Sequence, residues 1–279
     1  MYSPVKLLFI PVASSLVLAS SFSFTSAAMP GYVHKIKSFF VKQHEVKKEE
    51  KVRIAIFAIT GAITDATEIT KKLYKIRNDA SIHGVLIKID SFGGAPGSSQ
   101  IISQEIAACA TVKPVVVLVE NSCLSGALFA AVEATKIIAP AAAEIGSIGV
   151  VALFPKKNAQ RFKDLGGVAG DAHMEVIASS PNKLIFNEFG PALNEAQRSK
   201  LQQDIMHSYE LFYRAVAKAR KLDPAQHTVW GDAQIFSASK ALELGLIDKI
   251  GSFSDALEEL LTLIKERLSK TGEPELLDL

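Results

Sequence analysis

The chain has 279 residues, 48% of them hydrophobic and 22% charged, with a formal net charge of +2. This balance builds a packed globular body and excludes a disordered chain. The near-neutral charge and the scatter of basic residues, without a nucleic-acid motif, argue against nucleic acid as a partner.

Residues 1–28 begin with Lys6 ahead of an apolar, Ser-rich run from Leu7 to about Phe24, then Thr25-Ser26-Ala27-Ala28. The pattern is that of an export signal, and the run is also close to the ~20 residues that span a bilayer, so a retained membrane anchor fits as well. Residues 29–51 form a charged linker with Lys35, Lys37, Lys42, Lys47, Lys48 and Lys51. A positive-inside count keeps such a segment in the cytoplasm, whereas a signal read from its own start favours export. The expected location is the cell membrane, with the body on the periplasmic or extracytoplasmic side, or export after cleavage.

Residues 52–269 read as one α/β body. Apolar, β-branched runs predict strands at Val52–Ile59, Gly84–Asp90, Pro114–Glu120, Lys136–Ala139 and Ile148–Phe154. Helical patterns lie between them at 67–78, 98–110 and 124–134. The alternation indicates parallel βαβ units covered on both faces. Asn194–Lys221 reads as one long helix with Asn194 as N-cap. Ser237–Leu244 and Ser254–Leu268 read as further helices, stopped at Gly245 and Gly251, and residues 270–279 as a tail.

Three segments after strands carry chemistry. In Asp90-Ser91-Phe92-Gly93-Gly94 the glycines let backbone N–H groups approach a ligand, which suits an oxyanion hole, although a plain turn has the same look. In Asn121-Ser122-Cys123-Leu124-Ser125-Gly126-Ala127, Ser125 opens a helix as either a nucleophile or an ordinary cap. Glu144-Ile145-Gly146-Ser147-Ile148-Gly149-Val150 is a close-packed turn before an apolar run. Cys109 and Cys123 lack metal-ligand spacing and read as small buried apolar residues. No HExxH-type cluster points to a metal and no cofactor motif is present.

Together these segments resemble the signal peptide peptidase A family in its half-length bacterial form, which includes the SohB-like proteases. The likeness rests on the S-x-G-G turn at Ser91–Gly94, the serine turn at Ser125, and GSIGV with Ser147 placed 22 residues after Ser125. Ile177-Ala178-Ser179-Ser180-Pro181-Asn182-Lys183 stands where the family carries its lysine, and Gly245-Leu246-Ile247-Asp248 where it carries its closing segment. The resemblance runs from about Val52 to Leu260.

It implies a Clp-protease/crotonase-like α/β fold of βαβ units with C-terminal helices, and peptide-bond hydrolysis by a Ser–Lys dyad. Ser125 is then the nucleophile, Lys183 the general base, and Ser147 the residue orienting the lysine. Gly94 and Gly126 supply oxyanion donors, with Gly93 setting the turn. No cofactor or metal is implied. The implied substrates are signal peptides or other short apolar segments at the membrane. The implied assembly is a homo-oligomer with active sites at protomer interfaces.

Phe92, Ala127 and Ser180-Pro181 depart from the family pattern. Lys156, Lys157 and Lys163 are alternative lysines, His173 the alternative base of a Ser–His–Asp triad, and Cys123 an alternative nucleophile. The competing reading is a catalytically silent scaffold or membrane-complex subunit of the same fold.

Overall fold

The computed structural model describes residues 6–10, 52–152, 180 and 193–271. Its strands are β1 (Lys6–Ile10), β2 (Val52–Ile63), β3 (Gly84–Gly94), β4 (Val115–Leu124), β5 (Lys136–Ala139), β6 (Glu144–Gly146), β7 (Ile235–Ser237) and β8 (Lys249–Ile250). Its helices are α1 (Thr67–Asn78), α2 (Pro96–Val112), α3 (Gly126–Ala131), α4 (Glu195–Arg220), α5 (His227–Trp230), α6 (Ala238–Glu243) and α7 (Phe253–Thr271).

The sheet runs β1-β2-β3-β4-β5-β8, parallel throughout except for β1, which pairs antiparallel with β2. This is the expected α/β architecture. β4 changes neighbours along its length. Val116–Leu118 pair with β5, whereas Ser122–Leu124 pair with β6, which in turn carries β7. The sheet therefore forks at the end of β4 that leads to Ser125.

Alternating side chains of the parallel strands point to opposite faces, and both faces are covered. On one face, Phe57, Ile59, Ile87, Ile89, Val117 and Val119 pack under Ile69 and Leu73 of α1, Ile102 and Ile106 of α2, and Leu128 of α3. On the other, Val52, Ile54, Leu86, Val116, Leu118 and Ile138 meet Ala256, Leu260 and Ile264 of α7. α7 starts from a box in which the Ser252 N–H donates to Asp255 Oδ2 at 2.8 Å. α4 starts at Asn194 as expected. Its side chain accepts from the Gln197 N–H at 2.9 Å, and Gln197 Oε1 accepts from the Asn194 N–H at 3.1 Å.

The closing segment has a packing role. Asp248 Oδ2 accepts from the Ile137 N–H at 2.8 Å and from Arg220 Nη1 at 2.9 Å, tying β5 to the end of α4. Arg220 Nε also donates to the Gly245 carbonyl at 2.9 Å. Removing one partner of such a half-buried pair strands the others.

One predicted element is corrected. The apolar run at Ile148–Phe154 is not a strand over its described residues, 148–152. The backbone of Ser147 and Ile148 is bonded to the loop before β7 instead, so the ladder role passes to Glu144–Gly146.

Candidate active site

β3 and β4 run side by side and end together, which brings Gly93-Gly94 against the turn after β4. A methyl group at position 93, where φ is 98°, would lie 2.6 Å from the Gly126 nitrogen, 2.8 Å from the Leu124 carbonyl oxygen and 2.9 Å from Ser125 Cβ. Only glycine fits there. A methyl at position 126 would lie 2.4 Å from Ser99 Oγ and 3.1 Å from the Gly94 nitrogen. The backbone nitrogen of Gly94 thus lies against Gly126, the residue that follows Ser125.

Ser125 occupies φ 51° and ψ −125°, a region that costs a non-glycine residue about 1–3 kcal/mol. Its side chain makes no capping hydrogen bond to α3, so the ordinary-cap alternative fails. The backbone holds the strain from both sides. Ser125 N–H donates to the Gly146 carbonyl at 2.8 Å, and the Ser125 carbonyl accepts from Phe129 N–H at 3.0 Å. A serine on a tight strand-to-helix turn, with its hydroxyl left out of the helix, is the form of a nucleophile elbow. The six residues of α3 are all buried, and Phe129 stacks on Phe212 of α4 at 4.7 Å between ring centroids, so the platform behind the serine is rigid.

Ser147 is drawn in by the β4–β6 pairing, where Leu124 faces Gly146. Its backbone is also left-handed, at φ 52°. A loop to which the sequence alone assigns no role supports it. Ser147 N–H donates to the Gln234 carbonyl at 2.6 Å, and Ala233 N–H donates to the Ile148 carbonyl at 3.0 Å. Asp232 and Ala233 are themselves left-handed, at φ 58° and 55°. The loop directly follows Trp230-Gly231.

Lys183 lies outside the described residues, as do Lys156, Lys157, Lys163 and His173. Cys123 is fully buried, and loss of solvent pushes its thiol far above the ordinary range, which removes it as a nucleophile. His83 accepts from the Arg53 N–H at 3.1 Å, and His227 Nδ1 is bonded to the Tyr209 hydroxyl at 2.8 Å. Among the described residues no group of three or more His, Cys, Asp or Glu could hold a metal, and no helix is long and apolar enough to cross a membrane.

Residues 107–266 match peptidase family S49. The chain belongs to that family. Protease 4 of Haemophilus influenzae is 29% identical over 225 residues, covering 77% of this chain and 35% of its own length. A protease-named relative from Synechocystis sp. is 32% identical over 218 residues, covering 78% of this chain and 76% of its own length. The chain therefore spans about a third of the first relative and about three quarters of the second. A ClpP1 mutant from Listeria monocytogenes superposes with a TM-score of 0.49 at 16% identity, covering 72% of this chain and 94% of that one. By family the S49 chain is a serine peptidase.

Proposed function

We propose that this S49 chain hydrolyses peptide bonds through a Ser125–Lys183 dyad, with signal peptides or other short apolar segments at the membrane as substrates. The observation that carries the reading is Ser125 held in a strained turn, followed by Gly126 with the Gly94 nitrogen packed against it. In this scheme the neutral Lys183 amine takes the Ser125 hydroxyl proton as Oγ attacks the scissile carbonyl. The Gly94 and Gly126 N–H groups receive the oxyanion. The lysine returns the proton to the leaving amine, and water then releases the acyl group. A solvated lysine keeps its charge up to about pH 10.4, so the base works only where burial favours the neutral amine. Ser147 directs that amine, the third-group role of a triad.

Residues 1–28 bring the body to the membrane in this reading, on the extracytoplasmic side or released after cleavage. The active unit is a homo-oligomer in which neighbouring protomers complete each site.

Labelling by a fluorophosphonate probe tests the reading. Label and peptide hydrolysis are expected in the parent chain and lost in Ser125→Ala, and hydrolysis lost in Lys183→Ala. Activity rises with pH as the base loses its proton. A well-assembled chain that takes no label would favour the scaffold.

A further inference from the structure

The Gly93-Gly94 turn does not hold its shape through the sheet ladder alone. The β2–β3 register breaks between Thr60 and Ala62, where Gly61 bulges at φ 69°. The β3–β4 register breaks beside it, between Ile89 and Ser91. One side chain bridges the gap. Ser91 is 1% exposed, and its Oγ donates to the Gly61 carbonyl at 2.6 Å while accepting from the Gly93 N–H at 3.1 Å. Ser91 also faces Cys123 across the β3–β4 ladder, two residues before the nucleophile.

We infer that Ser91 is a positioning residue for the oxyanion site, locking the turn that presents the Gly94 N–H beside Ser125. The inference rests on the Ser125 nucleophile proposed above. A hydroxyl is suited to the place because it gives one proton and accepts another at the same atom. By taking up the Gly93 N–H it sets which glycine points its donor at the reaction. Gly93 is spent inside the turn, and it is the Gly94 nitrogen that lies against Gly126, 3.1 Å from where a methyl there would stand. Without the hydroxyl, the buried Gly93 N–H loses its partner and the cross-link to β2 disappears, so the turn is free to rotate its amides. The effect acts on the transition state, where charge develops, and leaves ground-state substrate contacts alone.

The test uses the full chain with Ser91→Ala and the near-isosteric Ser91→Cys, a weaker acceptor. Three quantities are read: kcat and KM on a peptide substrate, affinity for a peptide aldehyde that forms a tetrahedral adduct on serine, and hydrogen exchange of residues 92–95. In Ser91→Ala, kcat should fall about ten- to a hundredfold with KM within about twofold. That is less than the 10²–10³ lost when an oxyanion donor is deleted outright. Aldehyde affinity should fall with kcat, exchange at 92–95 should quicken, and Ser91→Cys should lie between. Unchanged kcat in both variants, or a loss confined to KM, overturns the role of Ser91 while leaving the dyad standing. A parent chain with no Ser125-dependent hydrolysis or labelling overturns the dyad and this role together. If Ser91→Ala fails to fold, the kcat-to-KM split and aldehyde affinity of Ser91→Cys decide.

Discussion

The two ends of β3 and β4 solve opposite problems. At their N-terminal ends the chain is relaxed, and a buried charge is satisfied by backbone. Lys113, 7% exposed, donates from Nζ to the Ile76 carbonyl at 2.6 Å and to the Asp79 carbonyl, closing the C-terminal end of α1. Burial holds its amine below the usual lysine range, against the opposing pull of Cys109 and Asp79. At the C-terminal ends the polar groups are serines and backbone amides, and the chain is strained. Of the five non-glycine residues with positive φ among those described, Ser125, Ser147, Asp232 and Ala233 belong to this end, leaving only Lys221 elsewhere. A buried lysine with a depressed pKa is therefore no mark of catalysis here. β4 is ten residues long, about 30 Å at ~3.3 Å per residue, and separates Lys113 from the serine turn. Strain and crowding, which cost stability, gather where geometry must be fixed for chemistry.

The contrast breaks most sharply at Ser125. Ser125→Ala should abolish turnover, to a loss beyond about 10³-fold, while raising rather than lowering the melting temperature, because an alanine is no worse a fit and among the described residues no hydrogen bond from the hydroxyl caps α3. Next is Gly94→Ala. A methyl there would lie 2.1 Å from the Ile63 carbonyl oxygen, so the turn must move. Activity should fall by about 10² or more, with about 1–3 kcal/mol of stability lost in a urea melt. Lys113→Met is the converse case. It removes one donor from each of two carbonyls, which keep the Asp79 and Ile82 backbone N–H groups as partners, and should cost about 0.5–1.5 kcal/mol by denaturant unfolding, yet leave kcat per folded molecule unchanged. If Lys113→Met instead stopped turnover in folded protein, the division between the two ends would fall.

The smallest effect is at Asp255. Its hydrogen bonds from the Ser252 side chain and backbone hold the carboxyl below the ordinary carboxylate range. A carboxyl lowered on folding adds stability above its unfolded pKa, and that stability fades as pH falls through the folded value. Asp255→Asn should therefore lower the melting temperature slightly at neutral pH, and the difference should vanish in strong acid.

The parts that sequence makes legible are those whose signal is local. The apolar runs at 52–59, 84–90, 114–120 and 136–139 are strands, and Thr67–Asn78 is a helix with the expected bounds. The strands β2, β3 and β4 run on to Ile63, Gly94 and Leu124 because the turn motifs themselves are drawn into the sheet. β7 and β8, three and two residues long, are too short for any periodicity to show. Ser125 and its glycines stand out through spacing and turn chemistry. Ser91 stands in the S-x-G-G turn, but its bridging role does not show, because its decisive partner, Gly61, lies 30 residues away. The same holds for Asp90, whose carboxylate accepts from Asn121 Nδ2 at 2.9 Å and the Ser122 N–H at 3.2 Å to anchor the far end of β4. Nothing near Asn121 in the sequence announces that bond.

The antiparallel strand Lys6–Ile10 lies along β2 from Val52 to Ile56, within the stretch whose apolar character suggests a signal or anchor. Five residues cannot lie in a lipid layer and complete a sheet at once. Whatever draws them off β2, whether insertion or proteolytic trimming, uncovers a row of unpaired amides and carbonyls beside Ile54 and Ile56, an invitation to another extended chain. A version shortened past Ile10 should accordingly self-associate more readily than the intact one, in proportion to protein concentration.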